Sequence, residues 1–285
     1  MAVLALKDRN ISIGTSQPLV VIAGLNVLED LELARDAARH LKAVCADLEL
    51  PYVFKASFDK ANRSSIRSYR GPGMAAGLEI LARVKDEFDV PVCTDLHEVD
   101  QAEPVAAVAD LVQIPAFLCR QTDLVIATAE ATKARGGLLH VKKGQFLAPW
   151  DSRNILDKIK EAVGVDMTIM CERGVSFGYN NLVVDMLGIA EMQALGAPVT
   201  IDATHAVQLP GANPASNGAS TGGRRAGVPI IAKAAVAAGA DGVFLEFHHD
   251  PDRALCDGPS CLPLREAEPL LRTLKAVRDA VSPQA

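Results

Sequence analysis

Aromatic side chains are scarce in this chain: Phe, Trp and Tyr make up 4% of its 285 residues, with one tryptophan, Trp150. A chain of this length with 49% apolar content can bury a large core, but aliphatic residues and alanine-rich helices must fill it. A basic excess is also missing. The formal charge of -6 argues against nucleic acid as a main partner, because a phosphate backbone calls for a positive surface. No apolar run reaches the roughly 18–20 residues of a membrane span, so no membrane partner is expected. Met1–Leu6, followed by Lys7, Asp8 and Arg9, is too short an apolar stretch for a secretory signal. Nor is there a Cys-x-x-Cys pair. The six cysteines are scattered, and the reading that fits them is buried free thiols in a reducing cytoplasm.

What the chain does have is eight short apolar runs, most ending in a charged or amide side chain. Leu19–Ala23 runs to Asn26, Tyr52–Phe54 to Lys55, and Val90–Cys93 to Asp95. Leu111–Val112 ends in Gln113, Leu138–Val141 in Lys142, and Met167–Cys171 in Glu172 and Arg173. Val199–Ile201 leads to Asp202 and His205, and Val243–Leu245 to Glu246. Between the runs, apolar spacing predicts helices. The first starts at Glu29 and Asp30, where the helix dipole favours negative charge, and carries a stripe of Leu33, Ala37, Leu41, Val44 and Leu48. Others are predicted near 74–88, 98–108, 122–135, 152–162, 180–195, 227–239 and 264–281. This is the pattern of an α/β fold, a (β/α)8 TIM barrel spanning 1–285 as one domain, with a doubly wound sheet as the alternative. An N-terminal hairpin at about 3–13 would close its lower end.

In such a barrel the C-terminal strand ends carry the chemistry. Lys55-Ala-Ser-Phe-Asp-Lys60-Ala-Asn62-Arg63-Ser64-Ser65 puts three cations and several short donors at one of them. Cations with hydroxyl and amide donors suit a phosphate, and arginine adds a planar fork. Lys142 and Arg173 end two further strands and aim at the same mouth. His205, Glu246 and Asp257 form a second constellation, readable as metal ligands or as an acid–base cluster. Two long loops, Ser57–Gly73 (with Lys60, Arg63, Arg67 and Arg70) and Gln208–Gly227, are functional candidates, the second as a mobile lid. Trp150, after Pro149, reads as a loop anchor.

These segments together resemble the 3-deoxy-D-manno-octulosonate 8-phosphate synthase family. The resemblance rests on Gly24-Leu-Asn-Val-Leu-Glu29, the Lys55–Ser65 block, Thr94-Asp-Leu-His-Glu98 and Gln113-Ile-Pro-Ala-Phe117. It continues through Val141-Lys-Lys-Gly-Gln-Phe146, Cys171-Glu-Arg-Gly174, Asp202-Ala-Thr-His205, Gly222-Gly-Arg-Arg225 and Cys256-Asp-Gly-Pro-Ser260, nearly the whole chain. It implies condensation of phosphoenolpyruvate with arabinose 5-phosphate, a role in making the Kdo sugar of lipopolysaccharide, and a homotetramer. By motif, Ser57, Lys60, Gln113, Ala116, Lys142 and Arg173 would hold phosphoenolpyruvate. Asn62, Arg63 and Ser64 would hold arabinose 5-phosphate, with Arg120 reaching it from a neighbouring subunit. The catalytic set implied is Asn26, Lys55, Asp95, His205, Glu246 and Asp257. Metal-dependent members of the family carry cysteine where this chain has Asn26, so the resemblance is to the metal-independent type, with no cofactor. The rival readings are the related synthase that uses erythrose 4-phosphate, a Schiff-base aldolase with Lys142 as nucleophile, and a sugar-phosphate binding protein without catalysis.

Overall fold

Residues 3–6, 9–211 and 221–281 are described in a computed structural model of the chain. Two antiparallel strands, β1 (Val3–Leu6) and β2 (Ile11–Gly14), come first. Eight parallel strands follow: β3 (Val20–Val27), β4 (Tyr52–Ser57), β5 (Val92–Asp95), β6 (Leu111–Ile114), β7 (Leu138–Lys142), β8 (Thr168–Glu172), β9 (Val199–Asp202) and β10 (Gly242–His248). Each pairs with the next, and β10 returns to pair with β3, so the sheet closes on itself. After these strands, in turn, come α1 (Leu31–Asp47), α2 (Met74–Phe88), α3 (Ala102–Ala106), α4 (Thr122–Ala134), α5 (Arg153–Val163), α6 (Leu187–Ala194), α7 (Val228–Ala237) and α8 (Ala267–Val281). This is the (β/α)8 barrel that the eight apolar runs predicted. The strands read as unbroken apolar runs because helices cover one face and the barrel interior the other; all eight residues of β3 are buried. Among the described residues no helix is long and apolar enough to cross a membrane.

Local chemistry sets the boundaries. The Asp30 side chain caps α1 by accepting from the Leu33 amide at 2.8 Å, and Ala37, Leu41, Val44 and Leu48 are buried beneath it. Leu33 is only half-buried, and Ala34 and Ala38 complete the stripe instead. The hairpin buries Leu4, Leu6, Ile11 and Ile13, while Arg9 reaches Asp89 and Asp110 at 2.6 and 3.7 Å. Both acids precede barrel strands, so the hairpin closes the N-terminal end, opposite the chemistry. At that end two aspartates staple neighbouring strands through paired bonds. Asp110 donates its amide to the Val92 carbonyl (3.0 Å) and accepts the Val92 amide on its carboxylate (2.9 Å). Asp241 does the same with Val199, at 2.7 and 2.8 Å.

Inside the barrel the two-residue strand period builds layers. His140, Thr200 and Phe244 lie in one layer; Lys142, Asp202 and Glu246, each two residues further on, form the layer above it. Gly24 on β3 has no room for a side chain, since a Cβ there would sit 2.1 Å from the Lys55 carbonyl oxygen. The register between β3 and β4 shifts just after it, between Gly24 and Val27, where Asn26 turns toward the site.

Two expectations need correction, and a third is narrowed. The helix predicted over 180–195 is confined to α6. Its first residues pair instead as a two-residue ladder, Leu182–Val183 against Val175–Ser176, because Gly178 and Asn180 take left-handed backbone (φ 71° and 55°) and β-branched Val183 and Val184 follow. Trp150 anchors nothing: it is 62% exposed in a short turn before α5. Of the Ser57–Gly73 cations, Arg70 is held by Asp59 at 2.5 and 2.8 Å and Arg67 is exposed, so only Lys60 and Arg63 reach the cleft. The middle of the proposed lid, residues 212–220, lies outside the described residues; its flanks pair as Gln208–Leu209 against Gly222–Gly223.

Candidate active site

A cleft of about 420 Å³ opens at the C-terminal ends of the strands, a volume suited to small-molecule ligands. Its floor is a buried charge network. Lys55, fully buried on β4, donates to Glu246 Oε1 (3.1 Å) and Ser57 Oγ (2.9 Å) and lies 3.9 Å from Asp95. Burial pushes the Lys55 ammonium down, helped by the nearby Lys60 charge and opposed by Glu246 and Asp95. Ser57 donates in turn to Asp95. Burial works to raise the Asp95 carboxyl, but Lys55, the His97 hydrogen bond and Lys60 outweigh it and hold it well below the usual range. For Glu246 the same contest, burial against His205, Lys55 and Lys60, ends at about 2.

Asp202, at the end of β9, organises the opposite wall. It takes Lys142 Nζ at 2.6 Å and His205 Nδ1 at 2.7 Å, and accepts the His205 backbone amide at 2.9 Å. Burial opposes ionisation here too, yet His205, Lys142 and Arg173 hold the Asp202 carboxyl well below its ordinary value. The far ring nitrogen of His205 lies 3.5 Å from Glu246 and 3.8 Å from Asp257. Beneath both walls is the Phe244 ring, with the ammoniums of Lys142 and Lys55 at 4.0 and 5.2 Å from its centre.

Two cations differ from the rest. Lys60 is 9% exposed and its ammonium has no partner among the described residues, although Glu246 and Asp95 more than offset burial and hold it in the charged form. Arg173 is 5% exposed. One arm of its guanidinium donates to Gln208 Oε1 at 3.1 Å, while Nη1 is buried without a partner among the described residues. Gln208 passes the contact on, donating to Asp257 at 2.9 Å. Glu172 fixes the turn below by accepting the backbone amides of Arg173 (2.9 Å) and Gly174 (2.6 Å). A buried cation without a carboxylate is costly, and an anionic ligand removes the cost.

The structure brings most of the expected residues to one place. Lys60, Asn62, Arg63 and Ser64 line one side of the cleft; Gln113, Ala116, Lys142 and Arg173 line the other. Asp95, His205 and Asp257 also reach it, and Asp257 does so from left-handed backbone (φ 48°), which aspartate tolerates better than most residues. Asn26, Lys55, Ser57 and Glu246 lie buried beneath it. Arg120 is exposed and does not line the cleft of its own chain. Asn26 turns its amide nitrogen to Glu246, and to Asp257 at 3.3 Å. An N–H donor thus faces both carboxylates, which does not suit a cation between them, and among the described residues no group of three or more His, Cys, Asp or Glu is arranged to hold a metal. All six cysteines are free and buried. Residue reading passed over Asp202 and Gln208 as site residues. Asp202 was visible as a strand-end acid, but its partners come from other strands; Gln208 carried no signal at all.

The chain matches the DAHP synthetase I family over residues 3–282. It is 54% identical to the 2-dehydro-3-deoxyphosphooctonate aldolase of Desulfosudis oleivorans, over 97% of this chain and 96% of that one. Its identity to the protein of the same name from Shewanella denitrificans is 53%, over 98% and 94%, and to that from Marinobacter nauticus 52%, over 99% and 97%. With a cleft of buried cations at the strand ends and this likeness along its length, the chain belongs to the DAHP synthetase I family, among its 2-dehydro-3-deoxyphosphooctonate aldolases.

Proposed function

We propose that this enzyme condenses phosphoenolpyruvate with D-arabinose 5-phosphate and water, giving 3-deoxy-D-manno-octulosonate 8-phosphate and inorganic phosphate for Kdo biosynthesis. One observation carries the substrate reading: Lys60 and Arg173 are buried at the cleft with no carboxylate at ion-pair distance among the described residues. Together with Lys142, Gln113 and Ala116 they bind phosphoenolpyruvate, while Asn62, Arg63 and Ser64 take the sugar phosphate. Ser57 acts from below, through Lys55 and Asp95.

In the reaction, C3 of phosphoenolpyruvate attacks the aldehyde carbon of the sugar while water adds its oxygen to C2. The hemiketal phosphate so formed loses phosphate by C–O cleavage and leaves the keto product. No covalent bond to the protein is needed, so positioning and charge complementarity do the catalytic work. Asp95, His205 and Asp257 reach the cleft and are the groups that orient water and move its proton. Lys55 and Glu246 set the field beneath them. Against a Schiff base at Lys142 stands its ion pair with Asp202 at 2.6 Å, which ties up the ammonium.

Metal independence is supported by Asn26: its amide donates to the two carboxylates that a thiolate in its place could join in ligating a metal. A homotetramer in the cytoplasm completes the reading, with Arg120 completing a neighbour's sugar-phosphate site; the 54% exposed Phe117, three residues away at the cleft rim, supports a subunit contact there. The test is phosphate release from phosphoenolpyruvate, with arabinose 5-phosphate or erythrose 4-phosphate as acceptor, before and after exhaustive chelation. Turnover with arabinose 5-phosphate that survives chelation is expected. Preference for erythrose 4-phosphate sinks the substrate reading; loss of activity restored by a divalent ion sinks metal independence.

A further inference from the structure

Below the cleft lies a polar group that the reaction above does not use. His140, on β7, is fully buried in the barrel interior and does not line the cleft. It is register partner to Gln113 on β6, and its Nδ1 lies 3.1 Å from Gln113 Oε1. Its Nε2 lies 2.8 Å from the hydroxyl of Thr200, two strands along on β9. The ring stacks on Phe244, with centres 6.0 Å apart and planes 12° from parallel. We propose that His140 is a positioning residue: with Thr200 it forms a relay of hydrogen bonds that orients the Gln113 amide so that its NH2 group faces the carboxylate or phosphate of phosphoenolpyruvate.

The direction of the relay follows from its members. Burial, helped by the Lys142 charge, pushes the imidazole down to about 3, so the ring is neutral and has one proton to place. The Thr200 hydroxyl also meets the Met170 carbonyl, at 3.4 Å, and the Cys171 thiol; in the proposed relay it donates to His140 Nε2, which at 2.8 Å is nearer than that carbonyl. The ring proton is then on Nδ1 and is donated to Gln113 Oε1. Only the NH2 end of Gln113 is left for the cleft. The opposite tautomer would turn the Gln113 carbonyl oxygen toward an anion. A layer that barrels usually fill with branched aliphatic residues is here given to His140 and Thr200. The relay explains why those positions are polar.

This proposal rests on Gln113 contacting phosphoenolpyruvate, so Gln113→Ala is measured beside the relay variants. In the ¹⁵N-labelled enzyme, two-bond proton–nitrogen spectra should show His140 protonated on Nδ1; a proton on Nε2 overturns the relay. Kinetically, His140→Phe keeps a ring but removes both nitrogens. It should raise KM for phosphoenolpyruvate about tenfold while kcat changes less than about threefold, the signature of lost binding rather than lost chemistry. His140→Asn puts an amide near the Nδ1 position and should recover most of that loss. If Phe fails to fold, Thr200→Val keeps the shape, removes the donor, and should raise the same KM about threefold with loss of the Nδ1 preference. A kcat loss with KM unmoved, Asn no better than Phe, or Thr200→Val without effect on either readout rejects the proposal. If Gln113→Ala itself leaves KM unchanged, the placing of phosphoenolpyruvate against Gln113 is what fails.

Discussion

The two ends of this barrel are built from the same residue types and use them in opposite ways. At the N-terminal end, Asp110 faces Lys85 at 2.9 Å and Arg9 at 3.7 Å while holding the Val92 amide, and Asp89 takes Arg9 at 2.6 Å. These four charges are matched among themselves, and each of the two acids is tied to a strand or to the hairpin that closes the barrel. At the C-terminal end Asp95, Asp202 and Glu246 are matched as well, but among the described residues the buried Lys60 and Arg173 have no carboxylate at ion-pair distance, and Lys60 feels Glu246 and Asp95 only from further off. A matched buried charge is a joint. An unmatched one is a binding site awaiting its anion.

The largest effect should come from removing an unmatched cation. Arg173→Ala is expected to lower kcat/KM by about 10²–10³-fold, comparable to losing one preorganised donor in a charged active site. Protein stability should hold or rise, because the arginine is a burden to the empty enzyme. Steady-state kinetics on phosphoenolpyruvate, paired with thermal unfolding, checks both halves. A variant that loses stability and keeps its kinetics would show that Arg173 is a joint after all.

The second prediction concerns acid. Glu246 is held at about 2 against an ordinary 4.5, with Asp95 and Asp202 well below 3.8. Because these folded values lie below the unfolded ones, the stability they contribute is present above pH 4.5 and is lost as pH falls toward 2. His140 moves the onset higher. The unfolded chain binds a proton near pH 6.5 that the folded protein refuses until about 3, so stability declines already below 6.5. The slope is at most about 1.4 kcal/mol per pH unit for one such group. Urea unfolding between pH 6.5 and 4.5 should show this limb, and His140→Phe should flatten it. An unchanged limb would assign it to other groups.

How far the sequence could be read follows the same division. The upper end was legible because each strand breaks its apolar run with a polar residue, and Lys55, Asp95, Lys142, Glu172 and Glu246 stand out by type alone. What did not come through is pairing between strands distant in sequence. Asp202 meets Lys142 from 60 residues away, and no local pattern marks Gln208 as the link between Arg173 and Asp257. The misread helix over 180–186 has a local cause: Leu182, Val183 and Val184 supply apolar spacing, but left-handed backbone at Asn180 starts an extended segment. The lower end was nearly silent, although the staples leave a trace in the Ala-Asp pairs that precede β6 and β10, Ala109-Asp110 and Ala240-Asp241.

The smallest effect tests that lower end. Asp110→Ala removes the acceptor for the Val92 amide and the partner of Lys85, leaving a strand-end N–H and a half-buried ammonium without their acid. The expected cost is about 1–3 kcal/mol of unfolding free energy, the range for stranding a buried donor. Activity per folded molecule should be untouched, because the staple sits at the barrel end opposite the cleft and none of its partners lines that cleft. Equilibrium unfolding together with kcat and KM at a temperature where the variant is folded separates the two quantities. A shift in KM for either substrate would mean that strain at the lower end reaches the strand tips, so that joints and binding site are one device. Stability lost with kinetics preserved would show that a barrel can keep its joints at one end and its chemistry at the other.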